Sequence, residues 1–379
     1  MLSTPIQLFR PDFGEAEQYA LQRVVASGWV GRGPLTTAFE HAFAAHLKVP
    51  AESILALPSA TDALFHSIAL LGLDPGDEVI MPSISFIGAA QAVAAAGAVA
   101  RLADVDPHTL NSSVNSLDAV RSHRSRALLL IHYGGVPCDM REILNWARFH
   151  NITVIEDSAC SPASRLDDQA CGTFGDIGVW SFDSMKLIST IEGGAIYVRD
   201  PAVMSDLRRA CCLGMNTTAG HASTAAARWW EFDVTTPGRR SLFNDAAAAL
   251  GLAQLERLPE MLGKRRNVAR LYSERLRGIP ALGLSPSPSP RAIESNYFYW
   301  IQIDGGRRDA LAAYLRDCGI YTSFRYFPLH RTTMFASDAA LPGADYAADT
   351  TLNLPCHSLL SDDDVHRVAD AIHDFLRKT

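Results

Sequence analysis

The sequence predicts an α/β fold. A large unit with a mostly parallel sheet, flanked by helices, should be followed by a small C-terminal α/β unit. Three observations carry that expectation. Short apolar strands alternate with amphipathic helices through the first half of the chain. The pattern changes after Phe182, where longer helical stretches follow. A Pro/Ser-rich break, LSPSPSPRAIES, then precedes a second, shorter set of strands and helices.

The elements follow in order. DFGEAEQYALQRVVASG has helical spacing of apolar residues and stops at Gly28. GPLTTAFEHAFAAHLKV is a second helix opened by a Gly-Pro turn. ILALPSATDALF reads as strand, turn and helix, and DPGDEVIMPSISF as a turn and a strand. IGAAQAVAAAGA is helical and VARLADV strand-like. RALLLIHYGG and ITVIEDSA are buried strands separated by the helix DMREILNWARFHN. LFNDAAAALGLAQLERLPEMLGKRRNVARLYSERLRGI is one or two long helices. Beyond the break, NYFYWIQI, RRDALAAYLRDCGI, YTSFRYFPL and SDDDVHRVADAIHDFL read as strand, helix, strand and helix. The boundary is expected near residue 255, dividing the chain into residues 1–255 and 256–379.

Composition limits the function. With 379 residues, 48% hydrophobic and 20% charged, the chain has ample core and suits two domains. A net charge of -7 disfavours a nucleic-acid or anionic-membrane surface. None of the seven cysteines has zinc-like spacing, so no metal site is expected, and reduced thiols suit the cytoplasm. The N-terminus lacks a basic region followed by an apolar core, so no signal peptide is expected. The Ala-rich stretch near residue 90 is too short and too weakly apolar to span a membrane.

In a sheet of this kind ligands bind beyond the carboxyl ends of the strands. Ser59, Ala60 and Thr61 fall where a strand turns into a helix, a ready anion site. Phe86 follows another strand, and Asp157 ends a third. In VWSFDSMKLISTIEGGAIYV, Ser181 precedes the single lysine, Lys186, by five residues. Taken singly, Thr61 and Asp157 read as caps, Phe86 as core and Lys186 as a solvated charge. Burial would lower the pKa of Lys186 and make it a nucleophile. Together, a phosphate cradle, an aromatic ring, a carboxylate and a lysine are the parts that pyridoxal phosphate (PLP) needs.

The order and wording of these motifs resemble the DegT/DnrJ/EryC1/StrS aminotransferases, a sugar-aminotransferase branch of the fold-type I PLP enzymes. SGWVGRGPLTTAFEHAFAAHL, SATDALFHSIALLGLDPGDEVIMPSISF, IHYGGVPCDM, IEDSACSPAS, FGDIGVWSFDSMKLISTIEGGA and AAALGLAQLERL carry the resemblance across nearly the whole chain. It implies that Lys186 holds PLP as a Schiff base, that Asp157 pairs with the pyridinium nitrogen and that Phe86 stacks on the ring. It also implies that Ala60, Thr61 and Ser181 bind the phosphate. The reaction implied is transamination through the pyridoxamine form (PMP), from L-glutamate or L-glutamine to a keto sugar, most simply one linked to a nucleoside diphosphate. A homodimer with shared sites, serving amino-sugar biosynthesis, is implied as well, and the Ala- and Arg-rich composition suits a high-GC bacterium and antibiotic or surface-glycan biosynthesis. Some relatives carry histidine at the lysine position and dehydrate; Lys186 favours transamination.

Three positions depart from the family pattern. Cys160 stands where a glutamine often meets the cofactor. In PGRRSLFND, Arg240 takes the place of an asparagine that reaches the other subunit's phosphate, and Leu242 that of an arginine. In SFRYFPLH, Arg325 replaces a histidine, and an arginine there suits a diphosphate or a carboxylate. Gly31, Arg32, Arg325, Tyr326 and His330 are the substrate-side candidates. A cyclitol ketone as acceptor, and a PLP-binding regulatory module without turnover, remain as alternatives. A Rossmann dehydrogenase lacks support, because no GxGxxG follows a first strand.

Overall fold

Strand and helix alternate as the apolar periodicity requires throughout residues 4–215, 232–280 and 282–378, which the computed structural model describes. The large unit runs α1 (Glu15–Ser27), α2 (Pro34–Leu47), β1 (Ile54–Leu57), α3 (Ala60–Ala69), β2 (Glu78–Pro82), α4 (Ile87–Ala95) and β3 (Val99–Ala103). It continues with α5 (Val114–Asp118), β4 (Ser125–Ile131), α6 (Met140–His150) and β5 (Thr153–Asp157). A short hairpin, β6 (Arg165–Leu166) and β7 (Gln169–Ala170), leads to β8 (Ile177–Ser181), β9 (Gly194–Val198) and α7 (Pro201–Cys211).

The central sheet has the order β1-β9-β8-β5-β4-β2-β3. The pairs β2/β3, β2/β4, β4/β5 and β5/β8 are parallel. Strand β9 is antiparallel to both neighbours, β1 and β8. The carboxyl ends of β1, β2, β4, β5 and β8 therefore meet the start of β9 along one edge. Both faces of the sheet are covered, so β4 from Ala127 to Ile131 is a continuous apolar run, and β5 is buried from Val154 to Asp157 rather than alternating.

One helix, α8 (Asp245–Leu276), passes from the large unit into the small one. Pro259 lies inside it without ending it. Its first half packs Ala247, Ala248, Leu258, Met261 and Leu262 against Phe39, Phe43 and Phe182. Its second half packs Val268, Leu271, Tyr272 and Leu276 in the core of the small unit. The core thus changes hands between Leu262 and Val268, within the long helical stretch in which the boundary is expected near residue 255.

The small unit adds β10 (Leu282–Leu284), β11 (Ala292–Ile293), β12 (Tyr299–Ile303), α9 (Arg308–Asp317), α10 (Pro342–Thr350), β13 (Thr351–Leu354) and α11 (Asp362–Lys378). Its sheet has the order β10-β12-β13, while β11 joins β6 of the large unit. Two expectations are corrected. YTSFRYFPL is not a strand; it makes one isolated bridge, Ser323 to Asn353, and the strand beside β12 is TLNL. The reason lies in its hydrogen bonds. The Arg325 N–H donates to the Asn353 side chain (2.9 Å) and its carbonyl accepts from the Tyr133 hydroxyl, so no ladder forms. The N-terminal segment also belongs with the small unit: Ile6 N donates to Gly319 O, and Tyr321 N to Ile6 O, each 2.9 Å.

Candidate active site

Lys186 sits in the irregular segment between β8 and β9. Thr190 N donates to Phe182 O (2.8 Å), closing the loop. Ser189 N donates to Gln254 Oε1 on α8 (3.2 Å). Leu187 and Ile188 are buried in the core beside Phe182, so the backbone on the C-terminal side of Lys186 is anchored. The Lys186 side chain keeps some solvent contact, yet its amine lies deep, 4.6 Å from the centroid of the Tyr297 ring. Among the described residues its amine has neither a hydrogen bond nor an ion pair.

Burial acts to lower the pKa of Lys186, as the sequence reading anticipated. The acidic groups around it, Tyr297, Cys160, Asp157 and Asp183, outweigh burial and hold its ammonium above the ordinary lysine range. Burial raises Tyr297 and Cys160 themselves, so both are neutral at pH 7. The depression of the Lys186 pKa that burial alone would cause is therefore opposed by the groups packed around it.

Asp157 and Glu156 end β5 and point to opposite faces of the sheet. Glu156 is fully buried and fully occupied. It accepts from Gly172 N (2.8 Å), Phe174 N (2.7 Å), Gly175 N (2.6 Å) and His132 Nε2 (2.8 Å). His132 Nδ1 in turn accepts from Cys138 N (3.1 Å), which leaves the proton on Nε2. Glu156 is thus a structural carboxylate. Asp157, 1% exposed, accepts only from Ala159 N (3.0 Å) at Oδ1, and its Oδ2 has no donor among the described residues. Burial pushes its carboxyl up, while the Ala159 N–H and Lys186 pull it back.

The residues expected to hold a phosphate meet where three strands come together. Gly194, at the start of β9, pairs with Leu57 on one side and Ser181 on the other. A Cβ on Gly194 would lie 2.4 Å from Ala60 N, so only glycine lets the start of α3 lie on the sheet. Ser59 Oγ caps α3 by accepting from Asp62 N (3.1 Å). The N–H groups of Ala60 and Thr61 have no acceptor among the described residues, and the helix dipole adds to their pull on an anion. The Ser181 hydroxyl accepts from Asp183 N (3.4 Å) and keeps its own proton to donate.

Aromatic rings close the cluster. Phe86, at the cap of α4, meets the Tyr326 ring edge-on at 6.0 Å. The Tyr326 hydroxyl is 3.8 Å from Cys160 Sγ. The Arg325 guanidinium lies over Phe9 (5.0 Å) and touches Met185 Sδ (3.7 Å). Phe9 is stacked on Tyr297 at 5.5 Å. Sequence reasoning missed Phe9, Asp183 and Tyr297. Tyr297 fell in a run read as strand, NYFYWIQI, but β12 begins only at Tyr299. The aromatic density of NYFYW was the one available signal.

Other candidates stand apart. His330 spends both ring nitrogens, on Ser83 Oγ (2.6 Å) and Asp345 Oδ1 (3.1 Å), docking its loop on the end of β2. Arg32 donates through Nη2 to both carboxylate oxygens of Glu40 (3.0 and 3.2 Å), and Gly31 O accepts from Asp245 N (2.9 Å). No hydrogen bond or ion pair joins either to the Lys186 cluster among the described residues. Arg240 is exposed, and its side chain has no partner among the described residues. No cluster of metal-ligating side chains occurs among the described residues, and no helix there is long and apolar enough to cross a membrane.

These groups suit one kind of ligand. An anchored amine can bond a carbonyl, a buried carboxylate oxygen without a donor can meet a ring N–H, and free N–H groups at a helix start can take a phosphate. Over residues 11–373 the chain is similar to the DegT/DnrJ/EryC1/StrS aminotransferase family. It is 42% identical over 366 residues to dTDP-4-dehydro-2,3,6-trideoxy-D-glucose 4-aminotransferase of Saccharopolyspora spinosa, covering 96% of this chain and 95% of that protein. It is 32% identical over 377 residues to the spore coat polysaccharide biosynthesis protein SpsC of Bacillus subtilis (strain 168), covering 97% and 96%. The crystal structure of the aminotransferase TlmJ from Streptoalloteichus hindustanus superposes with a TM-score of 0.94 at 45% identity, covering 99% of each chain.

Proposed function

This chain belongs to the DegT/DnrJ/EryC1/StrS aminotransferase family, and on that footing we propose that it carries an amino group from L-glutamate or L-glutamine to the keto carbon of a nucleoside-diphosphate sugar. It is an aminotransferase acting on small molecules, and aminotransferases of this family are PLP-dependent. The S. spinosa relative, by its name, acts at carbon 4 of a dTDP-linked keto-deoxysugar. Carbon 4 of a dTDP-sugar is our first choice for this chain too.

The observation that carries the reading is the pairing of an unpartnered buried amine, Lys186, with a buried carboxylate, Asp157, at the sheet edge. Asp157 Oδ2, without a donor, fits a protonated pyridine nitrogen. The free Ala60 and Thr61 N–H groups and the Ser181 hydroxyl fit the phosphate. PLP, when bound, supplies an electron sink that lets the donor's Cα–H be lost and the amine be stored as PMP. Lys186 Nζ would take the proton from the donor's Cα and, in the second half-reaction, deliver a proton to the acceptor carbon that receives the amine, a role worth roughly 10²–10⁴-fold in rate. Asp157 keeps the ring nitrogen protonated. Phe86 covers one ring face, and Cys160 with Tyr326 lines the site beside Asp157. His330 holds the loop that carries Tyr326.

Further parts of the reading extend it. Arg240, exposed and without a side-chain partner among the described residues, serves the cofactor phosphate of a second copy, so the enzyme works as a homodimer with shared sites. Gly31 and Arg32 then act from that copy as well. An apolar groove of about 810 Å³ among α1, α2 and α8, with Tyr19 and Trp29 exposed beside it, supports self-association. Seven free cysteines support a cytoplasmic setting. The division into a cofactor-holding unit, residues 1–255 by the sequence reading, and a C-terminal unit, 256–379, falls within α8, whose residues up to Leu262 pack with the former, while residues 4–8 ride on the latter.

The test is a visible absorption spectrum of the protein with PLP, before and after L-glutamate or L-glutamine. A band of lysine-bound cofactor that fades as the PMP absorption grows is the expected result. A band indifferent to both donors would remove transamination. No band at all would remove Lys186 as the cofactor lysine.

A further inference from the structure

Resting on the transamination proposed above, we infer that Tyr297 is a positioning residue for that reaction. Its ring face is the seat of the Lys186 amine whenever the amine is not bonded to a carbonyl, and the seat favours the protonated amine. Lys186 Nζ lies 4.6 Å from the centroid of the Tyr297 ring. That is inside the distance of about 6 Å over which a ring face attracts a cation. Among the described residues the amine has no hydrogen bond and no ion pair, so no carboxylate or carbonyl fixes it instead. The Tyr297 hydroxyl likewise makes no hydrogen bond among the described residues. The face of the ring, and not its hydroxyl, is what the fold offers to the lysine.

The ring is buried and anchored from several sides. Tyr297 N donates to Gly134 O (2.9 Å), which ties it to the loop after β4. Two residues earlier, Ser295 N donates to Ser164 Oγ (3.0 Å), and Ser295 Oγ accepts from Ala163 N (3.0 Å). From α8, Arg265 Nη1 donates to the carbonyls of Asn296 (3.3 Å), Tyr297 (3.5 Å) and Cys356 (2.6 Å). Phe9 is stacked on the ring at 5.5 Å, and Phe298 is tilted beside it at 4.6 Å. Both units of the molecule therefore hold this one ring against the lysine.

A ring suits the task better than a carboxylate. Besides Tyr297, the groups that face the amine are Asp157 at the end of β5, Cys160 just after it, and Asp183 in the lysine's own loop. An ion pair with Asp157 would occupy the carboxylate that the cofactor's ring nitrogen needs. A ring face attracts an ammonium through its quadrupole and spends no lone pair on it. It attracts a neutral amine far less. An amine that has taken up a proton thus stays on the seat until it delivers that proton, and a long, flexible side chain keeps one orientation meanwhile.

The experiment loads the protein with PMP, which leaves the Lys186 amine unbonded, and reads it by NMR with ¹³C-labelled lysine. The other lysines, Lys48, Lys264 and Lys378, are exposed and serve as internal references. Lys186→Ala identifies the Lys186 signal. In the wild type the ε-methylene protons of Lys186 are expected upfield of the references, as for a group over a ring face. Tyr297→Phe keeps that displacement, and Tyr297→Met, similar in bulk but without a ring, loses it. Titration from pH 6 through the ordinary lysine value of about 10.4 gives the acidity of the amine. The acidity constant is expected unchanged in Tyr297→Phe and raised roughly 3- to 30-fold in Tyr297→Met. No upfield displacement in the wild type overturns the inference, even if neither variant folds. The same titration in Tyr297→Met as in the wild type overturns it too. Tyr297→Phe behaving like Tyr297→Met would assign the effect to the hydroxyl and overturn the ring-face seat. A wild-type protein that forms no visible band with PLP would overturn the cofactor reading, and this inference with it. A normal band with the amine off the ring overturns this inference alone.

Discussion

At the scale of single residues, Lys186 and Asp157 divide the work, and their environments say how. The groups around the lysine act to raise its pKa against burial, and bonding to a carbonyl requires the amine without its extra proton. Lys186→Ala is expected to lose both the visible band of bound cofactor and turnover, and retained activity would sink the central claim. Asp157→Ala is expected to weaken PLP binding, read by equilibrium dialysis, and to cut turnover by orders of magnitude. Glu294 offers a test of stability away from the chemistry. It is 8% exposed, and burial without a compensating partner raises its carboxyl from 4.5 to about 7. Between those values the folded chain holds a proton that the unfolded chain has lost. Stability from this group therefore falls as pH rises from 4.5 to about 7. Glu294→Gln should be more stable than the parent at pH 8, by up to about 3 kcal/mol, and equal to it near pH 4.5, as read by urea unfolding at the two pH values.

At the scale of elements, glycine and a distant cap decide where helices begin. Gly194→Ala would press a Cβ onto Ala60 N and displace the start of α3. The expected result is weaker PLP binding with little change in the spectrum of what does bind. The start of α2 depends on a side chain far away in sequence. Asp245, 2% exposed, accepts from Leu35 N (3.1 Å), Thr36 N (2.8 Å) and the Thr36 hydroxyl (2.7 Å). Asp245→Ala should cost about 1–2 kcal/mol in denaturant unfolding, as loss of a cap does. Boundaries of this kind were partly legible. Gly28 and the Gly-Pro turn at Gly33 mark helix limits by local chemistry, and α1 and α2 respect them. The Asp245 cap was not legible, because it closes over a gap of some two hundred residues. Nor was the failure of YTSFRYFPL as a strand, since its backbone partners are the side chains of Tyr133 and Asn353.

At the scale of the whole molecule, the two units share one helix and exchange one end. Helix α8 threads both cores, and the N-terminal segment returns to the small unit before Phe9 reaches the site. Motion between the units must therefore bend α8 or its surroundings rather than a linker. The proposed second copy is testable without its structure. Light scattering should give about twice the chain mass of 41.1 kDa. Mixing inactive Lys186→Ala with inactive Arg240→Ala protein should restore about a quarter of wild-type turnover if sites are shared. Half the dimers would then be mixed, each with one intact site. No recovery after subunit exchange would place both residues in the same site of one chain.

By itself the sequence determined the alternation of strand and helix, the two-sided burial of β4 and β5, and the order of the chemical parts from Ala60 to Lys186. These follow from local periodicity and from residue types whose chemistry is intrinsic. Only the tertiary structure decided that Glu156 is occupied while Asp157 is not, and that β9 runs against its neighbours. It also decided that Tyr297, Phe9 and Arg325 stand in one column beside Lys186. The reason is physical. Which face a carboxylate points to, how its lone pairs are spent and which distant ring covers an amine depend on packing between segments, and periodicity within one segment carries no record of that.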